Sequence, residues 1–209
     1  MQRSLGTIRN LGFAMVASVV MLSAGSTKAF AQLYASDATS VKSGDLLDRD
    51  YWRAKWDSQR LDEAIKEHQP EGAILIAVIG QAQLLDDLIK KYPNDQDFKG
   101  WKAHAEEIKA KISPDANRSE SFKPGSLWNE INYREAYVNY NYAKVAIGKS
   151  DWAAAHDGLN YADKNLSPLV DRIKKDDRVS AWPSGASKWV TDASADVTKM
   201  ASQVNAKLH

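Results

Sequence analysis

The chain has 209 residues, no cysteine, and a formal charge of +1 from 28 Lys and Arg set against 27 Asp and Glu. The lack of cysteine excludes disulfides, thiol chemistry, cysteine-ligated zinc, iron–sulfur clusters and covalently attached haem. Charges of both signs are interspersed, which argues against a nucleic-acid or anionic-membrane surface.

Arg3 and Arg9 precede the apolar run Leu11 to Leu22, and small residues with the triplet Ala29-Phe30-Ala31 follow it. That order of charged, apolar and cleavage regions predicts a secretory signal peptide over residues 1–31. The run is too short for a bilayer anchor, and no cysteine follows it to carry a lipid. The expected location is the bacterial periplasm or the extracellular space, with no integral membrane span after cleavage. Removing the first 31 of 209 residues leaves 178, and the formal charge becomes −2 because three basic residues and no acidic one are lost. A chain of that length buries about 70% of its unfolded surface as a single domain.

Residues 32–44 are small and polar and read as a flexible leader, so the helical domain is expected over 45–209. A first helix is predicted from Asp45 to His68, with Leu47, Tyr51, Ala54, Leu61 and Ile65 on one stripe and Trp52 and Trp56 a turn apart beside it. Pro70 and Gly72 interrupt the pattern. The second helix, Glu71 to Tyr92, has no polar side chain from Ala73 to Ile79, a stretch expected to be the most buried of the domain. Pro93 ends it. The third, Asp95 to Ile112, carries the stripe Phe98, Trp101, Ala105, Ile108 and Ile112. Ser113 to Ser126 holds two prolines and a glycine, and reads as the longest loop and the boundary between two helical halves.

The fourth and fifth helices are expected over Leu127 to Pro168, joined at Gly148, Lys149 and Ser150. Ser167-Pro168 reads as the start of a short separate segment to Lys175. Ser184 can cap a last helix whose stripe is Ala186, Val190, Ala193, Val197, Met200 or Ala201, Val204 and Leu208. No stretch keeps the period of a strand, so the fold is all-α: a helical bundle or short helical array of about six helices.

Helix four is apolar or aromatic on two sides. At 100° per residue, Trp128, Ile131, Val138, Tyr142 and Val145 share one stripe, expected to face the core. Tyr133, Tyr137 and Tyr140 with Ile147 lie roughly opposite, and must meet either a ligand or another layer of protein. Helix three or the last helix could supply that layer.

Residues 137–168 resemble a tetratricopeptide repeat. Ala143, Ala155 and Ala162 stand where that family needs small side chains for close helix approach, Asp151-Trp152 matches its acidic–aromatic pair, and Leu159 takes its large apolar place. Asn139 and Ala146 depart from its aromatic positions, the proline comes one place late, and no second copy follows. The resemblance implies a helical hairpin whose first helix lines a concave groove, with Tyr137, Tyr140, Lys144 and Ile147 facing it.

Glu135 falls inside the stripe of Trp128, Ile131 and Tyr142, where a carboxylate is costly unless paired. It is either an acid of raised pKa, an anchor for a cationic ligand, or a group bonded to an arginine or a tyrosine hydroxyl. Glu130 and Arg134 are spaced for an ion pair along one helix. His68, His104, His156 and His209 lack the spacing of helical metal sites, and neither a nucleophile turn nor a glycine-rich phosphate loop is present. No cofactor or metal is expected. The pattern points to an exported, non-enzymatic helical protein. It would dock a peptide or protein partner, or a second copy of the chain, through Tyr133, Tyr137, Tyr140, Lys144 and Glu135. A small-molecule or glycan-binding protein, with Trp and Tyr stacking on sugar rings, is the alternative, and an enzyme using Glu135 as acid or base a third.

Overall fold

The computed structural model describes residues 47–175 and 179–208, so the expected signal peptide and leader, like His209, lie outside the described residues. Within them six α-helices follow one another: α1 Arg49–Lys66, α2 Glu71–Lys91, α3 Gln96–Lys111, α4 Ile131–Gly148, α5 Trp152–Lys174 and α6 Ala186–Leu208. Single 3-10 turns occupy Leu127–Asn129 and Val179–Ala181, and no strand occurs among the described residues.

Aspartates open three of the helices by accepting backbone N–H groups that have no partner within the helix. Asp48 accepts from Asp50, Asp95 from Asp97 and Phe98, and Asp151 from Ala154. After α1 the chain turns through His68, at φ 51°, into Pro70, which precedes α2. The separate segment expected after Ser167-Pro168 does not form, because α5 runs through Pro168 to Lys174. Pro168 and Lys164, one turn back, are both exposed. Water can therefore take up the carbonyl that loses its N–H partner, while buried Leu166 and Leu169 hold the helix in register.

Two layers of three helices result. In the first, Leu61 and Ala64 of α1 meet Ile74 and Val78 of α2 and Ala105 and Ile108 of α3. In the second, α4 packs on α5 and α5 on α6 around Val138, Ala143, Leu159, Leu166 and Val190. The α4–α5 crossing is close: a Cβ added at Gly158 would stand 3.0 Å from that of Ala143, and Ala155 and Ala162 are fully buried. The layers meet where α1 lies against α4.

Ala73, Ile74, Leu75 and Val78 of α2 are buried, but Ile76 is 49% exposed. The apolar stretch is thus not buried throughout, since α2 packs mainly on α1 and α3 and turns Ile76 to water. By length and composition α2 is also the one described helix that could cross a membrane.

The connection from α3 to α4 is docked rather than loose. Glu120 accepts the Gly72 N–H at 3.1 Å, and Lys123 donates its N–H to Gln69 and its ammonium to the His68 carbonyl. A Cβ at Gly72 would stand 1.8 Å from the Asn117 carbonyl oxygen, so only glycine allows this approach. Phe122 stacks flat on Trp128 with ring centroids 5.1 Å apart, and both pack against the first core.

Candidate functional site

The tyrosine side of α4 faces the interior. Tyr133, Tyr137 and Tyr140 are 0%, 3% and 7% exposed, which corrects the expectation that they offer a docking face. Trp189 of α6 lies over all three, at centroid distances of 4.7, 6.1 and 6.2 Å, and Trp52 of α1 meets Tyr137 edge-on at 6.4 Å. The last helix is the layer that covers them. Its own stripe is alanine and valine, small enough to bring the indole against the tyrosines. The Tyr140 hydroxyl donates to Asp196 at 2.9 Å, and burial together with that carboxylate raises its pKa. Lys144 sits with its ammonium 5.1 Å from the centre of the Tyr140 ring, on this same covered side.

The side expected to face the core does so only in part. Val138 is fully buried and Trp128 packs against the first core, but Ile131 is 74% exposed, and Tyr142 and Val145 are only partly buried. Periodicity showed two apolar sides and could not rank them, because the ranking depends on where α1 and α6 come to rest.

Where α1 crosses α4, charged groups from both helices interleave with tryptophans. Glu135 receives the Arg53 guanidinium on both carboxylate oxygens, at 3.4 and 3.2 Å, so it is held as one half of an ion pair. Asn139, buried, accepts from Arg49 at 2.7 Å and donates to the Glu135 carbonyl at 2.8 Å. Asp57 accepts from Arg134 at 2.7 Å through Oδ2, while its Oδ1 is buried without a partner. Burial pushes its pKa up to about 6, against the pull of Arg134. The pair expected between Glu130 and Arg134 does not form. Glu130 instead accepts two bonds from Arg172, at 2.6 and 3.1 Å, and one from the Trp182 indole at 3.2 Å.

At the N-terminus of α1 the seam reaches the surface. The Arg49 guanidinium carbon lies 4.3 Å from the centre of the Tyr142 ring and 5.5 Å from that of Tyr161, and its NH2 donates to Asp157 at 2.6 Å. Three helices therefore build one ledge: Arg49 from α1, Tyr142 from α4, Asp157 and Tyr161 from α5. Tyr161 is 50% exposed, with exposed Asn160 beside it. Sequence reasoning placed Tyr142 in the core and passed over Tyr161. The available signal was that Tyr161 falls outside the α5 stripe of Ala155, Leu159, Ala162 and Leu166.

The histidines take local partners. His104 is 2.8 Å from Asp62, and His156 is 3.2 Å from Asn160. Among the described residues no three His, Asp or Glu side chains gather as metal ligands. Comparison with protein-family models, with curated proteins and with solved structures finds no match to this chain.

Proposed function

We propose that this chain is an exported, non-catalytic helical binding protein that docks a peptide or protein partner on the open side of α4 and the adjoining surface of α5. The observation that carries this reading is the Tyr142–Arg49–Tyr161 stack, which holds an aromatic ring half in water on a platform made by three helices. Tyrosine offers large contact area at low entropic cost, and arginine stacking with an ion pair to Asp157 fixes the ring before a partner arrives. Asp157 and Asn160 at its margin supply acceptors for peptide N–H groups. The acid–base reading of Glu135 draws no support, since both its oxygens face Arg53.

A pyranose ring would stack on Tyr161 in the same manner, with Asp157 and Asn160 taking its hydroxyls, and this is the second reading. Selection from a displayed peptide library, beside a glycan array, separates the two. The proposal expects peptides whose affinity falls at least about 30-fold in Tyr161→Ser, the size of an interface hot spot, with the thermal melt unchanged. Glycans bound and lost in the same way would favour the second reading, and ligands indifferent to Tyr161→Ser would overturn both.

A further inference from the structure

Asp57 stands at the centre of the seam between the two layers, its side chain 6% exposed. A carboxylate kept ionised in such a place normally collects two or three donors. Asp57 shows one, from Arg134, and its Oδ1 is enclosed without any. Of the neighbouring cations, Arg53 of α1 is bonded to Asp50 and Glu135 and acts on Asp57 only through space, and Arg60 of α1 pairs with Glu63. Glu135, from α4, adds charge of the same sign. Toward α2 and α3, helix α1 turns apolar Leu61 and Ala64. The ion pairs it makes beyond α4's side, Asp48 with Lys91 and Asp62 with His104, lie roughly 140–180° round the helix from Asp57. Arg134 differs from its partner in exposure: a third of its side chain already touches water, while its guanidinium carbon lies 5.7 Å from the centre of the Trp56 ring and its buried Nε has no acceptor. It is the member of the pair that can leave.

We propose that the α1–α4 seam is a proton-operated latch, in which Asp57 takes up a proton and stays in the seam as a neutral acid while the Arg134 guanidinium is released to solvent. The proton comes from water and no other bond is broken. The pairs Arg53–Glu135 and Arg49–Asn139 keep α1 on α4 in both states. Burial sets the exchange near pH 6, inside the range an exported protein meets. The sign follows from the raised value: the stability Asp57 contributes is complete below the ordinary carboxylate pKa of 3.8 and is lost as pH rises through about 6, so mild acid strengthens the seam at this residue. This inference is independent of the partner surface on Tyr161.

The test is a carbon-13 titration of the aspartate carboxyls in the full chain, with the Arg134 Nε–Hε signal followed in the same samples. The expected result is an Asp57 midpoint near 6, assigned by its loss in Asp57→Asn, and an Arg134 signal that moves with the same midpoint. Arg134→Gln keeps the acid, serves if the asparagine variant fails to fold, and must raise the Asp57 midpoint. An Asp57 midpoint below about 4.5, an Arg134 signal blind to its titration, or a midpoint unchanged in Arg134→Gln overturns the latch.

Discussion

Tyr137→Ala tests whether the tyrosine side of α4 belongs to the core. Tyr137 is 3% exposed and touched by tryptophans from two other helices, Trp52 of α1 and Trp189 of α6. A buried tyrosine removes about 150–250 Å² from water. Truncation to alanine forfeits most of that, roughly 3–4 kcal/mol at 25 cal/mol per Å², before any cavity is counted. Large aromatic truncations in cores cost about 3–5 kcal/mol, so the two routes agree. In a urea titration followed by circular dichroism, with a slope of about 2 kcal/mol per molar, the midpoint should fall by roughly 1.5–2.5 M. Tyr161→Ala, on the half-exposed ring, is the internal control and should stay within about 0.5 kcal/mol of the parent. A loss below about 1 kcal/mol for Tyr137→Ala, equal to that for Tyr161→Ala, would refute the assignment of interior and surface to α4.

Three further substitutions probe other parts of the argument. Gln81 is 1% exposed and neither atom of its amide has a partner, so Gln81→Met should raise stability by roughly 1–3 kcal/mol; a lower urea midpoint would show that the amide is bonded after all. Gly72→Ala forces the Asn117 backbone away and breaks the bond from the residue-72 N–H to the Glu120 carboxylate, a charge-assisted contact worth about 1.5–3 kcal/mol. Limited proteolysis should then cut within residues 113–126, and an unchanged digest would mean that the connection does not rest on α2. Ala155→Leu overpacks the α4–α5 crossing and should cost roughly 1–3 kcal/mol, read as a drop in melting temperature, whereas an unchanged melt would place that residue outside the contact.

Several helix ends were legible from punctuation in the sequence: Pro93 as a stop, the turn at Gly148, Lys149 and Ser150, and the polar stretch between α3 and α4 as a break. The resemblance of the hairpin also singled out Ala143, Ala155 and Ala162 as positions for small side chains, and all three are buried. What periodicity left undecided was the order of burial on a helix apolar on two sides. Ile131 and Tyr133 are two residues apart and both large side chains with apolar bodies, yet one is 74% exposed and the other sealed. The difference is made by Trp189, more than fifty residues downstream. Pro168 misled for a related reason, because its effect depends on whether the lost bond faces water or core. Glu135 was read correctly as needing a partner, but Arg53 comes from α1, 82 positions away, and no local pattern announces it.

The seam between the layers also bears on the order in which the chain becomes available during synthesis. Helices α1 to α3 emerge from the ribosome before α4 and α5, and the bonds from Arg49 to Asn139 and Asp157 span 90 and 108 positions. A waiting surface of purely aliphatic side chains would invite aggregation in that interval. Here arginines and aspartates are set among the tryptophans of the unfinished face, so the nascent first layer can remain hydrated until its counterpart emerges.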